Sequence, residues 1–283
     1  MTIDYKIAMS LTCRQRFSWT ERDAILYALG TGMPENPLDE RELSYLRDGV
    51  SRVLPSFPVA IAFAGGPLAE AGLVRAQVLH GEHAITLHRS LPASGAVVAE
   101  GRMVDIWDKG PDKGAVLSQV KHLTLEETGE PLASIYTTVV ARADGGFGGP
   151  RTGQPAPYQM PDRAPDHVAE MTTTPSQALL YRLSGDPNPL HIEPEVARTA
   201  GFERPILHGL CTFAICCRAI LKTYCDYDPS KITHHQLRFS GPVYPGDSIR
   251  VRLWRDREII SFEAEVPSRG AMVVKGGKCL IVP

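Results

Sequence analysis

Leu210-Cys211-Thr212-Phe213-Ala214-Ile215-Cys216-Cys217-Arg218-Ala219-Ile220-Leu221-Lys222-Thr223-Tyr224 is the stretch from which the fold can be read. Leu210, Phe213, Ala214, Cys217, Ile220 and Leu221 recur at helical spacing. The other faces of that helix are mostly apolar too, and a helix apolar all round is a buried one. Strand-like segments follow it. Residues 235–240 lead into the turn Gly241-Pro242-Val243-Tyr244-Pro245-Gly246-Asp247. In 249–254, Ile249, Val251 and Leu253 alternate with Arg250 and Arg252, and 259–266 and 271–282 complete the series. A buried helix followed by alternating strands is an α+β unit, a sheet wrapped over a helix.

Working back toward the amino terminus, a related plan appears. Strand-like segments lie at 82–88, 95–107, 115–125 and 132–143. Pro92-Ala93-Ser94-Gly95, Lys109-Gly110-Pro111-Asp112 and Thr128-Gly129-Glu130 separate them as turns. Between the two halves, the Gly- and Pro-rich run from Asp144 to Pro165 can hold neither a helix nor a central strand. The division expected is 1–147, a linker at 148–165, and 166–283. The first half has no helix to match 210–224. Its corresponding region, 54–74, is broken by Pro55, Pro58, Gly65, Gly66, Pro67 and Gly72. A sheet without a full helix to wrap leaves apolar room for a ligand's tail. Nearer the amino terminus, Thr20 and Asp23 cap a helix over 24–29 that Gly30 and Gly32 stop, and Asp39 caps a second through Leu46.

Composition narrows the function. The 283 residues carry 30 Lys+Arg against 32 Asp+Glu, a net charge of −2, so no basic excess supports nucleic-acid binding. The start of the chain lacks the apolar core of a secretory signal, and no run approaches a membrane span; the best, 212–221, is broken by Arg218. A cytoplasmic protein is expected. Cys13, Cys211, Cys216, Cys217, Cys225 and Cys279 form no C-x-x-C pair and read as small hydrophobes in a reducing compartment. No histidine spacing of a zinc site and no G-x-S-x-G occurs, so neither a metal nor a serine nucleophile is expected.

Two short stretches can carry chemistry. In Ser184-Gly185-Asp186-Pro187-Asn188-Pro189-Leu190-His191, the prolines forbid a regular helix and stiffen the loop. A carboxylate and an imidazole held rigidly can share one water as an acid–base pair. Read alone, Asp186 serves as well as a turn cap and His191 as a hydrogen-bonded loop residue. The second stretch, Arg204-Pro205-Ile206-Leu207-His208-Gly209, opens the buried helix. The first N–H groups of a helix lack internal partners, and Gly209 has no Cβ to block approach. A carbonyl gaining negative charge would be stabilised there, although His208-Gly209 could equally be a plain helix start.

The residues from Tyr181 to His191 resemble the hydratase-2 motif of the MaoC-like (R)-specific enoyl-CoA hydratases, and Pro205 to Thr212 resembles the second signature of that family. Tyr27-Ala28-Leu29-Gly30, Leu54-Pro55-Ser56-Phe57, Leu79-His80-Gly81-Glu82 and Gly145-Gly146-Phe147-Gly148-Gly149 resemble the non-catalytic half of its two-domain form, the hydratase portion of peroxisomal multifunctional enzyme type 2. The resemblance implies a double hot-dog fold: two antiparallel sheets, each curled over a central helix, the first helix reduced to shelter an acyl chain. It implies that Asp186 and His191 act on one water, that Asn188 holds the loop and the water, and that the Gly209 N–H polarises the thioester carbonyl. The product would be a (3R)-3-hydroxyacyl-CoA, made without cofactor or metal in fatty-acid β-oxidation by a homodimer. His208, Phe147, Gly148, Lys109 and Lys275 are the substrate-contacting candidates, with Arg151, Arg238 and Lys278 as further partners for CoA phosphates. Glu193 and Ala214 depart from the family pattern, where Asp and Gly are common. A non-catalytic acyl-thioester-binding protein is the alternative, and a thioesterase a third.

Overall fold

The computed structural model describes residues 3–49 and 52–282; Met1, Thr2 and Pro283, from the terminal stretches read above, lie outside it. The first half contributes β1 (Thr12–Trp19), β2 (Val78–Leu87), β3 (Gly95–Asp108), β4 (Ala115–Leu125) and β5 (Pro131–Ala141). The second contributes β6 (His167–Thr172), β7 (Ile232–Phe239), β8 (Ser248–Asp256), β9 (Ile259–Val266) and β10 (Ala271–Ile281). Their spatial order is β1-β3-β4-β5-β2-β7-β10-β9-β8-β6. Each half thus has the same strand order, mirrored about the antiparallel β2–β7 pair, in which Glu82 lies opposite Arg238 and Thr86 opposite His234. The two expected sheets are joined at this seam into one of ten strands. The pairing gives the edge N–H and C=O groups of β2 and β7 partners that each half alone would leave open.

The fold-deciding helix runs Gly209–Tyr224, and Leu210 through Leu221 are all buried. It starts one residue earlier than its apolar pattern, because Gly209 already takes the first helical position after His208. Burying one such Leu, Ile or Phe side chain contributes about 1.5–3 kcal/mol. Phe213, among the bulkiest of them, is wholly buried, with His83 of β2 and His235 of β7 on its ring.

The first half differs where its sequence is broken. Two single turns, Pro58–Ile61 and Pro67–Glu70, stand in place of a long helix. The helix Glu21–Gly30 forms on the expected capping box between Thr20 and Asp23. The helix capped by Asp39 is shorter than its sequence suggests: it spans Glu40–Leu43, and looser turns carry the chain to Arg47. Two strands escape a sequence reading, β1 and β6, the outermost in the sheet. An edge strand buries one flank only, so its alternation is weak, as in the mostly exposed Thr12-Cys13-Arg14-Gln15-Arg16. Residues 146–166 hold no helix or strand; they start against the first half, where the Asp108 N–H donates to the Pro150 carbonyl at 2.8 Å, and end on the second, where Trp254 Nε1 donates to the Arg163 carbonyl at 2.7 Å. Among the described residues no helix is long and apolar enough to cross a membrane.

Candidate active site

The loop bearing Asp186 follows the short helix Gln177–Tyr181 and leaves it through Gly185, whose φ of +117° suits a residue without Cβ. After Pro187, the Asn188 side-chain oxygen accepts from the Leu190 N–H at 3.0 Å and starts a tight turn, Pro189–His191. The Asn188 backbone N–H donates to Asp186 Oδ1 at 3.2 Å. One carboxylate oxygen is thereby pinned, and the other, Oδ2, lies 4.0 Å from His191 Nε2. On the far side of its ring, His191 Nδ1 donates to the Ile206 carbonyl at 2.8 Å. A carbonyl can only accept, so Nδ1 carries the proton and the Nε2 lone pair faces Asp186.

The side chains of Asp186 and His191 are 17% and 8% exposed, enough enclosure to matter electrostatically and enough opening for a small molecule. Burial raises the Asp186 carboxyl above its usual range, while the Asn188 N–H and His191 pull it back. Burial lowers His191, opposed by its bond to Ile206 and by Asp186. Each group is pushed toward its neutral form, which readies both to exchange a proton.

His208 backs this pair. It is 1% exposed and stacks on His191, ring centroids 3.7 Å apart at 28°. Its Nε2 donates to the Asp186 carbonyl at 3.2 Å, and burial first, then His191, lowers its pKa to about 3, so it stays neutral. What the geometry gives His208 is the orientation of both catalytic candidates. Oxygen and nitrogen atoms of Asp186, His191 and His208 lie within 4.8 Å of one another, a grouping that no sequence spacing revealed.

Gly209 follows immediately. Its N–H has no acceptor among the described residues, as befits the first turn of a sixteen-residue helix whose dipole favours negative charge there. A Cβ on Gly209 would meet the ring of Phe239 at 3.4 Å. Phe239 is met edge-on by His80 of β2, 4.9 Å between centroids. At Gly185, before Asp186, a Cβ would lie 3.7 Å from the Ala60 carbonyl and 3.9 Å from Phe63 Cβ. The first half therefore borders the residues around the site at two places, through His80 on Phe239 and through Ala60 and Phe63 at Gly185. Phe239 and Phe63 carry no motif in the sequence, and His80 stands there only in the stretch 79–82 that resembles the non-catalytic half; the seam and the loop packing bring them here.

The other candidates have partners of their own. Asp108, 1% exposed, accepts N–H bonds from Gly110, Gly146 and Gly148 at 2.8, 2.8 and 2.7 Å. Gly148 is thus engaged in closing a turn, and Phe147 packs on a small satellite core with Met103, Ile106 and Leu117. Lys109 Nζ reaches the Arg151 carbonyl at 3.2 Å. Lys275 lies opposite Arg238 on the β7–β10 pair, and Lys278 sits over the Tyr158 ring. The basic candidates thus fall into separate groups, Lys109 with Arg151 and Lys275 with Arg238. A cleft of about 480 Å³ lined by Arg52, His88, Arg89 and Thr233 opens at the end of the β2–β7 seam opposite Gly209. It takes no part in the chemistry above. The cysteines are free and all but Cys13 are buried, with burial pushing Cys216 and Cys225 up to about 12.

The comparisons with known proteins bear on the whole chain. A MaoC like domain matches residues 157–273, and an MFE-2 hydratase 2 N-terminal domain matches residues 17–143. Enoyl-CoA hydratase ChsH3 of Mycobacterium tuberculosis is 39% identical over 293 residues, 99% of each chain. Peroxisomal multifunctional enzyme type 2 of Mus musculus is 39% identical over 277 residues, which cover 94% of this chain and 37% of the mouse protein. A solved MaoC-like dehydratase from Phytophthora capsici is similar at a TM-score of 0.87 with 29% identity, covering 99% of this chain and 98% of that one. A Mycobacterium tuberculosis protein described as having a double hotdog fold shares the architecture alone, with a TM-score of 0.62 at 12% identity over 99% and 98% of the two chains. The chain therefore belongs to the family of two-part MaoC-like hydratases, in which an MFE-2 hydratase 2 N-terminal domain precedes a MaoC-like domain in a double hot-dog fold.

Proposed function

We propose that this protein adds water across the C2–C3 double bond of trans-2-enoyl-CoA to give (3R)-3-hydroxyacyl-CoA, with Asp186 and His191 acting on one water. The observation that carries the reading is the gap of 4.0 Å between Asp186 Oδ2 and His191 Nε2, with His208, stacked on His191, leading directly into the helix that starts at Gly209. That gap is too long for a direct hydrogen bond. A water about 2.8 Å from both atoms would be held at an angle of roughly 90°, within its own bonding range.

The pair takes one proton from the water as its oxygen bonds to C3. The C2–C3 electrons move toward the thioester carbonyl, where the Gly209 N–H and the helix dipole stabilise the developing charge. C2 then collects the proton from the pair, and both groups return to their starting state. No metal or cofactor enters the balance, and the reaction runs in reverse by the same steps. Water fixed by a rigid pair attacks one face only, which yields one enantiomer.

Relatives named enoyl-CoA hydratase support the substrate class. Crotonyl-CoA hydration coupled to a (3R)-specific hydroxyacyl-CoA dehydrogenase tests the stereochemistry. NADH formation in step with hydration is expected. Product oxidised only by a (3S)-specific dehydrogenase contradicts the reading, and enoyl-CoA bound without turnover would favour the binding protein.

A further inference from the structure

In the second half, the concave face of the sheet is filled by a helix that satisfies its own backbone. The chain crossing the same face of the first half is held by side chains instead. Lys121 of β4, 3% exposed, donates to the carbonyls of Ala62 at 2.8 Å and Ala64 at 3.0 Å. Gln119, two residues before it, accepts from the Leu68 N–H at 3.0 Å. Gly66 turns at a φ of +103°, and a Cβ there would stand 2.6 Å from Lys121 Cε. The strap from Ala60 to Gly66 is thus fixed at both carbonyls and at its turn. Its position is against the catalytic loop, since Ala60 and Phe63 border Gly185, the residue before Asp186. Phe63 is half-buried and packs on the main core.

We infer that Phe63 is a specificity-determining wall for the acyl chain and that Lys121 is the positioning residue that holds it there. The inference rests on the hydratase reading above. With the thioester carbonyl at Gly209 and C3 at the Asp186–His191 gap, acyl atoms beyond C3 leave past the residues bordering the Asp186 loop. On the first-half side those are Ala60 and Phe63. The side chain that starts at the Phe63 Cβ sets how much bulk can follow C3, and Ala60 meets the loop with its carbonyl oxygen.

The test is the ratio of kcat/KM for dec-2-enoyl-CoA to that for crotonyl-CoA, measured for the full chain and its variants. F63A should raise the ratio, and F63W lower it, by at least about tenfold, the lower end of what one methylene's fit changes in a pocket. F63L, a milder truncation, should raise it less, and serves if F63A does not fold. K121M should shift the ratio through KM of the longer ester, and K121R, still able to donate to two carbonyls, should restore it. A ratio within about twofold of wild type in both the truncated and the enlarged Phe63 variant overturns the inference. A wild-type protein that hydrates neither ester defeats the reading of the reaction instead, so the two failures are distinct.

Discussion

His191 and Asp186 illustrate how a fold changes the surroundings of a loop residue. Either side chain on an open loop would behave like its free amino acid. Here Ile206 fixes the imidazole tautomer, Asn188 pins one carboxylate oxygen, and His208 covers the pair. Burial lifts Asp186 from 3.8 and lowers His191 from 6.5, so the two values move toward each other and titrate as a pair. Hydration needs the pair deprotonated. kcat/KM should therefore fall on the acid side, as the pair takes up a proton, and level off once that proton is lost. A pH–rate profile reads this directly, and a rate that does not fall in acid would contradict it. The Pro-stiffened segment made Asp186, Asn188 and His191 legible in the sequence. Their tautomer, their separation and the His208 stack were not, because Ile206 and His208 lie fifteen and seventeen residues beyond His191 and meet it only in the fold.

At the level of the element, the helix Gly209–Tyr224 performs two tasks with one sequence. Its apolar body fills the second half, and its amino-terminal end follows His208, which is bonded to the Asp186 carbonyl. Proline is tolerated at the first helical position, and His208 already has the extended ψ of 134° that precedes a proline comfortably. Gly209→Pro should thus keep the helix and remove the N–H, lowering kcat by about 10²–10³. Gly209→Ala keeps the N–H and adds a methyl at ordinary contact distance from Phe239, so it controls for bulk. Equal loss in both variants, with circular dichroism unchanged, would argue for crowding rather than charge stabilisation. This helix and the eight inner strands could be read from periodicity, since each buries a regular set of side chains. β1 and β6 could not, being edges with one neighbour each.

On the scale of the whole molecule, the two halves are one body. The β2–β7 seam places His80 beside Phe239, and a buried network ties the long helix to the first half. Arg218, 3% exposed, donates to the Thr31 carbonyl at 2.6 Å and lies 3.7 Å from Glu42, which also accepts from Tyr227 and from the Asn36 N–H. Arg218→Met would leave a buried carboxylate and a buried carbonyl short of a donor. It should lower stability by about 3–5 kcal/mol, read from the urea midpoint at constant slope. A change under about 1 kcal/mol would mean that the network contributes little to joining the halves. The repeated strand plan was visible in the sequence, as was the broken first-half helix. That β2 and β7 pair was not visible, because register across some 150 residues leaves no local signal.

The account stands on Asp186 and His191 as the groups that handle the water. The direct measurement is the loss of conjugated-thioester absorbance when crotonyl-CoA is mixed with wild type, D186N and H191Q. Wild type should turn over, and each variant should lose about 10²–10⁴ in kcat while keeping its circular dichroism. Hydration by either variant at the wild-type rate would contradict the account.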